Sequence, residues 1–171
     1  DTVTEIGFCV FAGTNLTLIV IPDTVTEIGD WAFEDCKQLS SVSLSSNMVI
    51  LGSGAFSDCA SLTSIRIPKS LERADAGGSG DYAPFIGCAA LSDIELETGM
   101  TKIPANLLRD CPGFTTITIP DTVTEIGFCV FAGTNLTLIV IPDTVTDIGN
   151  YAFSDCTELK DVTLPNIRKN I

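Results

Sequence analysis

The sequence predicts a repeat solenoid: a right-handed coil with one short parallel β-strand in each repeat of about 23 residues and short helical or irregular return segments. Two observations carry this prediction. The segment from Asp1 to Thr26 recurs without change from Asp121 to Thr146. Residues 23–45 and 46–68 are two consecutive related units of 23 residues each. A period of that length is typical of stacked coils.

The whole chain, 1–171, divides into seven coils of a single solenoid. They cover residues 1–22, 23–45, 46–68, 69–97, 98–120, 121–142 and 143–165, with a short tail at 166–171. The first five coils span 120 residues, which is also the spacing of the two identical segments. The larger unit is therefore a block of five coils, and we expect the chain to be part of a longer array.

Each coil is expected to contain one half-buried strand. Apolar Val42 and Leu44 alternate with serines, which is the period-two pattern of a strand with one buried face. Proline follows most of these segments and, lacking an N–H group, ends the ladder. The prolines are Pro22, Pro68, Pro120, Pro142 and Pro165. Strands stacked in register at about 4.8 Å would form a parallel sheet along one side.

The return segment of each coil carries an Ile-Gly pair and then an Ala-Phe pair, as at Ile28, Gly29, Ala32 and Phe33. This spacing suits a single tight helical turn with the apolar side chains pointing inward. The phenylalanines are expected to stack in one column, with Leu108 replacing phenylalanine in coil five. The other members are Phe11, Phe33, Phe56, Phe85, Phe131 and Phe153.

The repeat pattern I-P-x-x-V-x-x-I-G-x-x-A-F-x-x-C-x-x-L-x-x-I resembles the BspA-like leucine-rich repeats. The resemblance covers nearly the whole chain and departs from the pattern in coil four and partly in coil five. It implies a leucine-rich-repeat solenoid from a bacterial or protist protein that is secreted or exposed on the cell surface. It also implies adhesion to host or neighbouring-cell macromolecules, without a shared active site.

The charge of the chain argues against nucleic acid as a partner. Nine Lys and Arg stand against 22 Asp and Glu, which gives a formal net charge of −13, and the basic residues are scattered. Binding to a phosphate backbone requires clustered basic side chains. An extracellular or host protein is the expected partner, and the chain itself is expected to be a monomer.

Catalysis is not expected either. The sequence contains no histidine, which excludes Ser-His-Asp and Cys-His mechanisms and every metal site that uses histidine. No cofactor and no metal ion are expected. The longest apolar run, around Leu16 to Ile21, has the length of a strand, so no insertion into a membrane is expected within this chain.

Five of the seven cysteines occupy one repeat position, three residues after the phenylalanine, or after Leu108 in coil five. They are Cys36, Cys59, Cys88, Cys111 and Cys156. At a coil spacing of about 4.8 Å they are too far apart for the ~3.8 Å Cβ separation of a disulfide, so we expect buried thiols that pack as apolar groups. Cys9 and Cys129 occupy another position, near the surface, where they could be reactive thiols or partly covered, idle ones.

Aspartates precede the stacked cysteines at Asp35, Asp58, Asp110 and Asp155. Repeated carboxylates can bind calcium, but the dense spacing of calcium loops is missing, which favours a role in turns. Coil four is longer than the others, and its extra residues lie at Ala74 to Tyr82. Glycine and aspartate at that density predict a loop on the return side, either a ligand-binding insertion or a tolerated bulge.

The outward side chains of the predicted sheet are the candidate binding site. The residues expected to contact a partner are Leu18, Val20, Arg66, Asp93, Glu95, Leu138 and Val140. Exposed aliphatic pairs on strands are normally covered by another surface, which favours a protein partner. The four aliphatic residues could also be β-formers that were copied with their block: Leu18, Val20, Leu138 and Val140. The sequence thus predicts a non-catalytic adhesion module. The alternative is a passive spacer that displays a domain outside this chain.

Overall fold

The computed structural model describes residues 2–74 and 82–165. The chain winds as a parallel β-solenoid of about seven turns, and no helix occurs in the described ranges. The solenoid prediction is therefore confirmed. The inserted segment of coil four is described only at its two ends, Ala74 and Tyr82, so the predicted loop itself lies outside the described residues.

The coils contribute two kinds of strand, where the sequence predicted one. The longer strands are the expected ones: β2 (Leu18–Val20), β4 (Ser41–Ser43), β6 (Ser64–Ile67), β7 (Asp93–Leu96), β10 (Leu138–Val140) and β12 (Asp161–Thr163). The shorter strands lie at the Glu-Ile positions: β1 (Glu5–Ile6), β3 (Glu27–Ile28), β5 (Ile50–Leu51), β8 (Lys102–Ile103), β9 (Glu125–Ile126) and β11 (Asp147–Ile148). They form a second ladder in two three-stranded pieces, β1-β3-β5 and β8-β9-β11. Both kinds pair in parallel, as coils stacked in one direction require.

The longer strands do not form the continuous sheet that was expected. They pair as β2 with β4, β6 with β7, and β10 with β12. In coil five, Thr116 to Thr118 have the alternating pattern of a strand but form none. Ile119 is buried and Ile117 is half-buried there, so the side-chain alternation persists without the backbone ladder. The outward face therefore consists of three two-stranded pieces.

The return segments are series of β-turns, so the expected helical turn was wrong. The N–H groups of Trp31, Phe33 and Asp35 donate to carbonyls of the next coil, at 2.9, 2.8 and 2.9 Å. The intervening N–H groups donate three residues back within the same coil. A helix would use every N–H group internally. Because every second N–H group donates to the neighbouring coil, the segment cannot make the hydrogen bonds of a helix and forms successive turns instead.

Two positions of the return segment adopt left-handed backbone conformations. The first is occupied by Cys9, Trp31, Gly54, Asn106, Cys129 and Tyr151, and the second by Gly13, Asp35, Asp58, Gly87, Asp110, Gly133 and Asp155, all with φ between 52° and 73°. Aspartate and glycine tolerate this conformation better than most residues. The interpretation of the four aspartates before the cysteines as turn residues is therefore confirmed.

The phenylalanine column is present as predicted. Ring centroids of Phe33 and Phe56 are 5.0 Å apart with an interplanar angle of 2°. Phe11 stacks on Phe33 at 5.2 Å, Phe56 on Phe85 at 5.5 Å, and Phe131 on Phe153 at 5.3 Å. Leu108 interrupts the aromatic column in coil five but is itself fully buried. A continuous apolar core thus runs through the stacked coils.

Candidate binding surfaces

The two aliphatic pairs of the outward face are exposed, as expected. Leu18 and Val20 on β2 are 61% and 67% exposed, and Leu138 and Val140 on β10 are 44% and 55% exposed. Their local sequences are identical, but their neighbours differ. Leu18 lies beside Ser41, whereas Leu138 lies beside Asp161. The pair on β10 therefore has an acidic neighbour that the pair on β2 lacks.

The centre of the face is a cluster of charges. Arg66 Nε lies 3.2 Å from Glu95 Oε1, and Arg66 Nη2 lies 3.4 Å from Glu97 Oε1. The second oxygen of Glu97 accepts the Lys69 N–H at 2.9 Å. Asp93 and Glu95 are both predicted to contact a partner, and Glu95 already has a cationic partner within the chain. Because Arg66 and Glu95 are both more than half exposed, this pair contributes little to stability and can be exchanged for a partner's charges.

The breaks in the sheet produce clefts beside this charged cluster. A cleft of about 470 Å³ lies between β7 and coil five and includes Asp93, Glu95, Thr116 and Thr118 in its walls. A smaller one, of about 230 Å³, lies between β4 and the Arg66 side chain. Arg66, Asp93 and Glu95 are thus brought together around recessed surface. The aliphatic pairs on β2 and β10 lie on strands outside the sheet piece that carries this cluster.

Four of the five stacked cysteines are buried, and Cys156 is half-buried. In four of the five, Sγ donates to the carbonyl oxygen of the phenylalanine one coil earlier: Cys36 to Phe11 at 3.1 Å, Cys59 to Phe33 at 3.2 Å, Cys88 to Phe56 at 3.1 Å and Cys156 to Phe131 at 3.0 Å. Thr14 and Thr134 replace cysteine in coils one and six, and each hydroxyl donates to the phenylalanine carbonyl of its own coil. The position is therefore one for small buried donors.

Burial makes these thiols poor nucleophiles. It raises the pKa of the Cys59 thiol from its ordinary 9.0 to about 12, with a further contribution from Cys36. Burial likewise raises the pKa of Cys111 to about 12, and it raises the pKa of Cys88 as well. Because the thiolate is the reactive form, these side chains are inert near neutral pH. They act as core packing groups.

The second pair of cysteines differs from expectation. Cys129 is only 7% exposed, so its expected place near the surface was wrong. Coil five covers this edge of coil six, since the Asn106 N–H donates to the Phe128 carbonyl oxygen. Cys9 is half-exposed, but burial raises the pKa of its thiol, and the carboxylates of Glu34 and Asp30 raise it further. The structure therefore gives neither cysteine the features of an activated thiol.

Exposed aromatic pairs on the return side were missed by sequence reasoning. The rings of Trp31 and Tyr82 meet edge to face with centroids 4.8 Å apart. Phe128 and Tyr151 form a similar pair at 5.8 Å. The outward positions of the described longer strands carry no aromatic side chain, whereas these pairs lie on the return side of the coil. The available signal was that Trp31 and Tyr151 fall at the same repeat position.

The described part of the chain contains neither a cluster of metal ligands nor a membrane-spanning helix. Among residues 2–74 and 82–165 there is no group of three or more Cys, Asp or Glu side chains arranged to hold a metal ion. Over the same ranges, no helix has the length and apolar character needed to span a bilayer.

Comparison with known proteins decides the family. Six copies of the BspA type leucine rich repeat region match residues 1–77 and 80–171. The chain belongs to the BspA-type leucine-rich repeat family.

Solved leucine-rich-repeat structures resemble this BspA-type array. A leucine rich cell surface protein from Faecalibacterium prausnitzii is 30% identical with a TM-score of 0.52, and the match covers 94% of this chain and 42% of that one. A leucine-rich repeat protein from Bacteroides capillosus is 39% identical with a TM-score of 0.49 over 56% of this chain and 64% of that one. This chain thus spans less than two thirds of either protein. No curated protein matches it.

Proposed function

We propose that this chain is a non-catalytic module of a secreted or cell-surface protein and binds an extracellular or host protein through its outward sheet face. The observation that carries the proposal is the exposure of four large aliphatic side chains on β2 and β10, between 44% and 67%. Scattered exposed aliphatics are ordinary, but pairs on the outward face of parallel strands are a surface that a partner can cover. The similarity to a cell surface protein supports the proposed location.

The proposed contact combines two kinds of group. Leu138 and Val140 would supply most of the affinity, because apolar side chains buried at the centre of an interface dominate binding energy. Asp93 and Glu95 would orient the partner, because exposed charges act mainly on association rate and specificity. With Glu97, three carboxylates there face one guanidinium, that of Arg66. A partner with a basic rim around an apolar patch fits this surface.

The absence of histidine from the sequence supports a non-catalytic role, since the usual general base is missing. The acidic charge of −13 supports a protein partner over nucleic acid. Binding as a monomer is proposed as well. Nothing in this proposal requires a cofactor.

The proposal is tested by immobilising a panel of extracellular host proteins and measuring binding of the chain to each. For any partner found, the double variant Leu138→Ser with Val140→Ser should weaken binding by at least about tenfold. The double variant Asp93→Asn with Glu95→Gln should reduce the dependence of the association rate on salt. Leu18→Ser with Val20→Ser makes the same change in an identical local sequence on β2, and it measures separately what that aliphatic pair contributes to binding.

If both the β10 variant and the charge variant bind an identified partner as the parent does, the sheet face is not the binding site. A chain that binds no member of the panel points to the spacer alternative. One observation favours that alternative: the segments 1–26 and 121–146 are identical, so the face of coil six was copied with its block and has not diverged.

A further inference from the structure

The Trp31 side chain lies against the backbone of the next coil. A Cβ atom built on Gly54 would collide with Cε3 and Cζ3 of the Trp31 ring. Gly54 occupies the same repeat position in coil three that Trp31 occupies in coil two, and its φ is +59°. The missing side chain at Gly54 therefore leaves the space in which the indole lies across coil three. From there it reaches coil four.

In coil four the indole meets Tyr82, which is 48% exposed. The two rings are 4.8 Å apart at 63°, so they form two walls of a corner. The corner bounds a shallow cavity of about 350 Å³. Its lining residues are Trp31, Glu34, Ser57, Asp58, Tyr82 and Ile86. Three successive coils thus contribute to one recess on the return side, away from the outward sheet face.

Among the residues that the structure describes, the wall of the cavity contains two carboxylates, Glu34 and Asp58, and no basic side chain. The Asp58 carboxylate accepts the Ser57 hydroxyl at 3.1 Å and lies against Gly87, where a Cβ atom would collide with Oδ1. Lys37, the lysine closest in sequence to Glu34, is paired with Asp35 at 3.1 Å.

We propose that this cavity binds an arginine side chain of a protein partner. A guanidinium is planar, stacks on aromatic faces and donates hydrogen bonds to carboxylates, so it matches Trp31, Tyr82, Glu34 and Asp58 at once. A lysine ammonium has the charge but lacks the plane. A neutral sugar could stack on the rings, but it would leave both carboxylates without a charged partner. An anionic ligand is repelled.

The experiment uses Trp31 as its own reporter, because it is the only tryptophan in the sequence. The chain is titrated with a pentapeptide carrying one arginine between glycines, and its fluorescence is recorded. The comparison peptide carries citrulline, which keeps the shape of arginine without its charge. The arginine peptide should give a saturable change, with affinity at least about tenfold higher than that of the citrulline peptide, since hydrogen bonds to charged groups are the stronger kind.

Variants locate the site. Tyr82→Ala, and Glu34→Gln combined with Asp58→Asn, should each lower the affinity for the arginine peptide several-fold while the circular dichroism spectrum stays unchanged. Tyr151→Ala is the matched control, because it removes the other aromatic pair, and it should bind as the parent does. Leu138→Ser with Val140→Ser should also bind the peptide normally, so this site and the sheet face are tested separately.

Three results would overturn the proposal: no saturable change with the arginine peptide, equal affinity for the citrulline peptide, or unchanged affinity in both cavity variants. A neutral oligosaccharide that saturates the fluorescence change at lower concentration than the peptide would assign the cavity to carbohydrate instead.

Discussion

Val3 and Val123 occupy the same position of two identical segments, yet Val3 is 62% exposed and Val123 is fully buried. Val10 and Val130 differ in the same way, at 54% and 0%. In coil six these side chains are covered by coil five, whereas no described coil precedes coil one. Whether a side chain of this repeated segment is exposed or buried therefore depends on whether another coil packs against it.

This pair provides a matched test of stacking. Val123→Ala should lower the free energy of unfolding by about 2 kcal/mol, because it removes buried methyl groups and leaves a cavity. Val3→Ala makes the identical change in an identical local sequence and should cost less than about 0.5 kcal/mol. Urea denaturation monitored by circular dichroism measures both. Equal losses would show that coil five does not cover coil six as described.

The phenylalanine column should be the strongest single contributor to each coil. Phe56 is fully buried and stacks on Phe33 and Phe85. Replacing Phe56 by alanine should cost about 3 to 5 kcal/mol. The loss should also appear as reduced hydrogen-exchange protection in the coils on both sides, since each coil is stabilised by its neighbours. A loss below about 1 kcal/mol would place Phe56 outside the core.

The core was predictable because its residues repeat with the coil. Phe33, Cys36 and Val42 recur at fixed spacing, and that periodicity alone placed them inside. The second ladder at Glu27–Ile28 was not predictable, because two residues are too few to show an alternation. The missing strand at residues 116–118 has the right alternation, so pattern does not determine whether neighbouring backbones come close enough to pair. The turns escaped prediction because inter-coil hydrogen bonds determine them.

Alkaline pH should destabilise the protein through its buried thiols. The pKa values of Cys59 and Cys111 are raised from 9.0 to about 12 in the folded state. Below pH 9 these thiols are neutral whether the chain is folded or unfolded, so their contribution to stability is complete. Between pH 9 and about 12 only the unfolded chain loses these protons, and stability falls.

The check is the urea midpoint measured across that pH window. The matched variant, Cys59→Ala with Cys111→Ala, should start less stable at pH 8 but lose less stability on going to high pH. An identical slope in both proteins would contradict the burial of the two thiols.

In denaturant without reductant, most or all seven cysteines should react with a thiol reagent. Two or more bridges would show that the coil spacing had been misjudged.

Gly54 should be intolerant of a side chain for two reasons. Its left-handed φ of +59° costs other residues roughly 1 kcal/mol, and a methyl group there would also push Trp31 out of its place. Gly54→Ala should therefore lower stability and shift the emission of Trp31 toward that of a more exposed indole. The control is Gly13→Ala, which has φ +68° and open space around the added methyl, and it should leave the emission unchanged.

Glu95→Gln should leave stability within about 1 kcal/mol of the parent, since the pair that Arg66 and Glu95 form is well exposed. A thermal melt measures this change. A stable Glu95 variant makes any effect of the sheet-face charges on binding a property of the interface. A large loss would mean that Arg66 supports the fold between β6 and β7.

The candidate surfaces were predicted unevenly, and the reason is physical. Leu18, Val20, Leu138 and Val140 were located from strand alternation alone, which fixes the face of a residue. The pairing of Arg66 with Glu95 depends on long side chains, whose ends reach beyond their own position. The Trp31 cavity depends on a side chain that crosses coil three to reach coil four, and the glycine at residue 54 leaves the space for it.

The return segments also impose a direction on the array. The N–H groups of Trp31, Phe33 and Asp35 donate toward the next coil, and those of Asn106, Leu108 and Asp110 do the same three coils away. A coil moved to another place therefore meets the same acceptors in the same order. Unequal recombination between the identical segments would lengthen or shorten the encoded protein by one block of 120 residues. The direction of the hydrogen bonds between coils would stay the same. Such a change in the number of blocks would alter the distance between the outward face at Leu138 and the Trp31 cavity along an otherwise unchanged solenoid.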